Sequence, residues 1–117
     1  DYMAAEALEK ANVVGDAKCI MLYAELTQNE AKQLLNRLTE KGRVIAGVFF
    51  AAGDRVSYMI SRTEGVTLSC KEVAELANGL FNGKGGGREA FAQGSGKKPT
   101  NPDEVMKMLI SAVERMM

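Results

Sequence analysis

The 117-residue chain contains no histidine, no tryptophan, two prolines and two cysteines. Without histidine there is no imidazole general base, no Ser–His or Cys–His nucleophile pair and no His-containing metal site. Two cysteines, Cys19 and Cys70, cannot close a structural zinc site alone. Both lie in apolar-patterned segments, so two buried thiols are expected rather than a secreted disulfide scaffold. Aromatic residues are scarce (6%) and methionines number seven, which predicts an aliphatic and thioether core. The longest apolar run, Val44 to Ala52, is far shorter than the roughly 20 residues of a membrane-spanning helix. Asp1-Tyr2-Met3 opens with neither a basic leader nor a Met at position 1. The expectation is an excised piece of a longer chain, placed in a reducing, cytoplasmic compartment, with no membrane partner.

What is present reads as one domain, with 15 cationic and 15 acidic side chains in balance. Residues 1–14, rich in Ala, Glu and Lys, are expected to be a short helix, the remnant of a preceding helical segment. Residues 15–117 make the globular part. Cys19 to Ala24 and Val44 to Ala52 are continuous apolar runs suited to strands covered on both faces. Thr27-Gln28-Asn29-Glu30 is a capping box, followed by Ala31, Leu34, Leu35 and Leu38 at helical spacing, with Gly42 placed to end the helix. Gly53-Asp54 is a two-residue hairpin loop leading into a strand over Val56 to Ser61. Ser69-Cys70-Lys71-Glu72 is a second capping box, opening a helix striped by Val73, Leu76, Ala77 and Leu80. Asn101-Pro102-Asp103-Glu104 starts a closing helix whose stripe runs through Val105, Met108, Leu109, Ala112, Val113 and Met116. This order predicts an α/β fold: a mixed sheet of about four to five strands sandwiched by helices.

Seven of the twelve glycines fall between Gly79 and Gly96. The stretch from Gly79 to Lys98 carries Lys84, Arg88, Lys97 and Lys98 against Glu89 alone, a local surplus of +3. Glycines interleaved with cations suit an anion: the backbone can reach positive φ, and N–H groups can converge on a phosphate. Two known phosphate loops are excluded. The Walker pattern fails at Asn78 and Gly85, and the dinucleotide fingerprint fails at Arg88. A loop over residues 82–98, with a short strand over Ala90 to Gln93, is expected. Catalysis finds little support: Glu75 and Glu89 form no carboxylate pair, Glu72 is taken by its cap, and Ser61, Ser69 and Ser95 lack a base. Tyr58 and Phe91 fall on apolar patterns and are expected in the core. Arg55, Arg62 and Thr63 lie beside the hairpin, where the arginines would extend a basic surface.

The run from Gly83 to Gly96 resembles the glycine-rich signature of the DHH-associated domain. More narrowly, it is similar to the form at the C-terminal end of the alanyl-tRNA synthetase family, G-K-G-G-G-R-P-x-x-A-Q-(small)-G-(small). Lys84, Gly85, Gly86, Gly87, Arg88, Ala92 and Gln93 match in place. Glu89 stands where the family often has Pro, and Gly94-Ser95-Gly96 replaces Ala-Gly-Gly. The DHH phosphoesterase relatives carry His after the three glycines; Arg88 is there instead. The resemblance implies a non-catalytic module that holds the elbow of tRNA and links aminoacylation to editing. It implies RNA or phosphate contacts from Lys84, Gly85, Gly86, Gly87, Arg88 and Gln93, and the charge pattern adds Lys97, Lys98 and Arg62 to the expected contacts. It implies no cofactor in this piece, with ATP, Mg and Zn belonging to other domains of a parent ligase. Two alternatives stand beside it: a substrate-binding half of a DHH-type phosphoesterase, or a homodimerisation module using Met106, Met108, Ile110, Met116 and Met117.

Overall fold

The computed structural model describes residues 12–14, 17–40, 43–63, 66 and 69–115. The apolar run Val44–Ala52 becomes the central strand, β3, because its side chains bury on both faces. Val44, Ile45, Ala46, Val48 and Phe49 are fully buried. We number the other elements in chain order: β1 (Asn12–Val14), β2 (Ala17–Ala24), α1 (Gln28–Leu38), β4 (Arg55–Arg62), α2 (Cys70–Phe81), β5 (Lys84–Gly87), β6 (Phe91–Lys97) and α3 (Pro102–Arg115). The sheet order is β1-β2-β3-β4-β6-β5. β2 and β3 are parallel, as expected for strands joined through a helix, and all other neighbours are antiparallel. The expected mixed α/β sheet between helices is the observed architecture.

Two strands exceed the sequence expectation. Asn12–Val14 is strand β1 rather than helix, with Asn12 opposite Cys19 and Val14 opposite Ala17. Val13 and Val14 are β-branched and gain a partner along the edge of β2, which outweighs the helical composition before them. Residues 1–11 lie outside the described residues. The second addition is β5, treated below.

Register splits the core in two. Cys19, Met21, Ile45, Phe49, Val56, Tyr58, Ile60 and Ala92 face α2 and α3. Ile20, Val44, Ala46, Val48, Phe50 and Met59 face α1, meeting Ala31, Leu34, Leu35 and Leu38. Phe49, Tyr58 and Phe81 cluster with ring centroids 5.3–5.9 Å apart, the one aromatic knot of the larger core. Both cysteines are buried free thiols. Burial, with Glu114 adding, pushes the Cys19 thiol up to about 12; burial outweighs Arg62 and pushes Cys70 up to about 11. Neither is a nucleophile at neutral pH.

The helix starts follow the sequence. Thr27 and Glu30 complete the capping box: Thr27 Oγ1 accepts from Glu30 N–H at 3.2 Å, and Glu30 Oε1 accepts from Thr27 N–H at 3.0 Å. Ser69 Oγ accepts from Glu72 N–H at 3.4 Å, which is one half of the expected second capping box, and Asn101 Oδ1 accepts from Glu104 N–H at 3.3 Å. α1 closes at Thr39, whose hydroxyl donates to Leu35 O at 3.0 Å; Gly42 lies outside the described residues. The stripe of α3 departs from expectation. Met106, Leu109 and Val113 are buried and Val105 and Ile110 pack beside them, while Met108 is 53% exposed. Of the methionines expected to form a sticky face, Met106 belongs to the core, and Met116 and Met117 lie outside the described residues.

The capping box makes a measurable contribution. Thr27→Ala should lower unfolding free energy by roughly 1 kcal/mol in urea titrations at pH 7. The bonds from Thr27 hold the Glu30 pKa below its ordinary value. Its stabilisation is therefore present above the unfolded carboxylate pKa and is lost as pH falls through the lowered folded value. Unfolding midpoints of the parent and Glu30→Ala should draw together as pH drops through that window.

Candidate nucleic-acid interface

The glycine run does not form a loop. Lys84–Gly87 is an edge strand that pairs with β6 through Lys84↔Ser95, Gly85↔Gly94, Gly86↔Gln93 and Gly87↔Ala92. The expected short strand over Ala90 to Gln93 becomes the seven-residue β6, which pairs with β4 along its length. Backbone N–H and C=O groups beside β4 need partners, and a hairpin supplies them. Arg88 N–H donates to Phe91 O at 2.7 Å and closes the turn over Arg88–Ala90. Among the described residues, positive φ occurs only at Gly53 and Asn82, so these glycines do not form the converging N–H cradle that the sequence suggests.

The glycines serve close approach instead. A Cβ on Gly85 would run into the Gln93 carbonyl oxygen, and a Cβ on Gly94 would lie 2.7 Å from the Tyr58 ring. Gly86 is different: a Cβ there meets nothing within 4 Å. The hairpin is held from below by α2. The Tyr58 hydroxyl donates to Asn78 Oδ1, Asn78 Nδ2 donates to Gly85 O at 3.1 Å, and Gly83 N–H donates to Asn78 O at 2.8 Å. Asn82 caps α2 in the left-handed conformation (φ 51°, ψ 48°), which turns the chain into β5. Sequence reasoning met Asn78 only as a failed Walker glycine. Its spacing before the glycine run was the available signal.

Register sets which side chains share a surface. α1 lies over β3, meets Ile20 of β2 and reaches β4 at Met59. Among the described residues nothing covers the rest of that face. Alternation places Arg55, Ser57, Met59 and Ser61 of β4 there, with Phe91, Gln93, Ser95 and Lys97 of β6 and Lys84 and Gly86 of β5. Lys84, Gln93, Lys97 and Arg55 are exposed, and no strand position on this half-face is acidic. Arg55 Nη2 donates to Ser95 Oγ at 3.1 Å across the strands. Phe91 is not in the core: it is 42% exposed beside the hairpin turn, because α1 does not extend that far. Tyr58, on the opposite face, is buried as expected.

The remaining expected site residues divide. Lys84, Gln93 and Lys97 come together on this half-face, with Gly86 among them, while Gly85 and Gly87 take the alternate register. Arg88 is exposed at the turn. Lys98 follows β6 and its N–H donates to Asp54 O at 3.0 Å, near Arg55. Arg62 does not join them. It sits in the alternate register of β4, and its Nη2 lies 3.9 Å from Glu89 Oε2. The Glu89 carboxylate faces Arg62, and its carbonyl accepts from Cys70 N–H at 2.8 Å, tying the turn to α2. A separate groove of about 620 Å³ runs between α2 and α3, lined by Leu76, Leu80, Met108 and Ala112 with Glu75, Glu104, Lys107 and Arg115. Its balanced charge gives an anion no preference. Among the described residues no group of His, Cys, Asp or Glu is arranged to hold a metal, and no helix is long and apolar enough to cross a membrane.

Two glycine substitutions separate packing from surface. Gly94→Ala forces a methyl against Tyr58 and should cost about 1–3 kcal/mol of stability. Gly86→Ala should leave the unfolding midpoint nearly unchanged. Thermal unfolding of the two variants beside the parent checks both.

The comparisons agree with this geometry. Residues 16–115 match the family model described as the DHHA1 domain. The alanine–tRNA ligase of Francisella tularensis subsp. holarctica (strain OSU18) is 27% identical over 106 residues, covering 86% of this chain and 12% of that protein. The chain thus spans about an eighth of the length of such relatives. Among solved structures, the C-Ala domain of Aquifex aeolicus alanyl-tRNA synthetase superposes with a TM-score of 0.76 at 25% identity, covering 89% of this chain and 97% of that one. A DHH-domain member of the s1p family of ribosomal proteins shares the fold alone, with a TM-score of 0.59 at 12% identity over 97% of this chain and 30% of that one. With a family model matching nearly its whole length, the chain belongs to the DHHA1 domain family.

Proposed function

We propose that this chain is the C-terminal tRNA-binding module of an alanine–tRNA ligase, holding the elbow of tRNA rather than performing chemistry. The observation that carries the reading is the open half-face, where Lys84, Lys97 and Arg55 surround Gln93 with no acid at any strand position. Folded RNA is recognised largely through shape, phosphates, 2′-hydroxyls and unstacked bases. Cations fix the phosphates, Ser57, Ser95 and Gln93 offer hydrogen bonds, and Phe91 offers a ring to an exposed base. Arg88 at the turn and Lys98 at the other end of β6 extend the footprint along the hairpin.

The module works as a tether. Overall neutrality with one cationic face gives modest, salt-sensitive affinity. Linked to other tRNA-binding domains of a cytoplasmic parent enzyme, a modest site adds affinity through effective concentration. The ATP, Mg and Zn chemistry of such a parent belongs to its other domains.

Titration with alanine tRNA, an unrelated tRNA and a short single-stranded RNA at 50 and 200 mM salt tests the reading. The two tRNAs should bind alike, since both have an elbow, and the short RNA should bind more weakly. Lys84→Ala and Lys97→Ala should each weaken both tRNAs and lower the slope of log K against log salt by about one. Binding of the short RNA alone would transfer the chain to the phosphoesterase-type reading. No binding at 50 mM salt would overturn the RNA reading.

A further inference from the structure

Between α1 and the glycine hairpin the open half-face deepens into a cleft of about 310 Å³. β4 supplies Ser57 and Met59. Gln28, the first residue of α1, and Phe50 of β3 line one side; Lys84 and Gln93 line the other. The volume is at the lower end of the range for small-ligand sites, roughly 300–1,000 Å³. Among the described residues, Lys84 is the only charged side chain lining it.

Its chemistry is specific. Two carboxamides, Gln28 and Gln93, reach it from different elements, each offering an NH2 donor and a carbonyl acceptor. That mixed donor–acceptor character matches the edge of a nucleobase better than a phosphate, which would call for more cations. Met59 and Phe50 are nearly buried and give the cleft an apolar surface for a ring. Gln28 is not needed by the helix cap, which Thr27 and Glu30 complete between themselves. It lies more than fifty residues before the glycine run, so only the fold brings it to Gln93.

We propose that this cleft receives one unstacked nucleobase of an RNA loop. The Gln28 and Gln93 carboxamides hydrogen-bond its polar edge, Met59 and Phe50 contact its ring, and Lys84 neutralises its phosphate. The proposal rests on the RNA-binding reading and adds the nucleotide unit that the half-face selects.

Side-chain amide NMR tests the two levels separately. The chain, ¹⁵N-labelled, is titrated with AMP, GMP, CMP and UMP at millimolar concentration, and with tRNA. The Gln28 and Gln93 amide signals should shift with at least one mononucleotide and with tRNA. Gln28→Ala should weaken tRNA about fivefold without changing the salt slope, since one hydrogen-bonding group and no charge is lost. Gln28→Glu, which keeps the shape and adds a negative charge beside Lys84, should weaken it more. Normal tRNA binding with both amide signals unmoved and Gln28→Ala unaffected overturns the cleft and leaves the tRNA reading standing. Shifts with mononucleotides but no tRNA binding overturn the tRNA reading and keep the nucleobase site.

Discussion

The hydrogen-bonded chain from Tyr58 through Asn78 to Gly85 is the constraint on which the candidate site depends. An edge strand of three consecutive glycines has no side chains to pack and high conformational entropy when unfolded. It stays in place because α2 holds it. Asn78 takes the buried hydroxyl of Tyr58 on one side and the carbonyl of Gly85 on the other, and its own carbonyl accepts from Gly83. Tyr58 is locked in turn by Phe49 and Phe81. A polar bridge rooted in the aromatic core thus converts an intrinsically loose sequence into a defined strand.

That strand decides what the open face presents. Among the described residues, one helix covers one side of the six-stranded sheet and two cover the other, and none lies over half of the α1 face. Pairing of β5 with β6 brings Lys84 beside Ser95 and Gln93, and pairing of β6 with β4 brings Lys97 beside Arg55. Most of the cations are distant from one another in sequence and converge only through register. A one-residue slip would exchange this surface for Ala92, Gly94 and Gly96. The close packing of Gly94 under Tyr58 guards against that slip.

Much of this was legible in the sequence. The buried run Val44–Ala52, the Gly53-Asp54 hairpin and the three helix starts declare themselves through local chemistry, and local chemistry is what forms there. The glycine run signalled its importance and its charge. Its conformation was illegible because glycine carries no periodicity: a pattern of side chains cannot announce a strand that has none. Phe91 misled for a related reason. Its neighbours alternate like a buried strand, and only the limited reach of α1 leaves it exposed. Gln28 gave no signal, since its role in the cleft depends on a crossover that sets α1 beside β4.

On the proposed reading, RNA meets the open half-face and not the helical side. Ultraviolet cross-linking of the chain to tRNA, with the attached peptides read by mass spectrometry, tests it most directly. Cross-links are expected on the peptides carrying β5 and β6, Phe91 foremost, with few on α3. Cross-links concentrated on Met108 and the groove between α2 and α3 would contradict it.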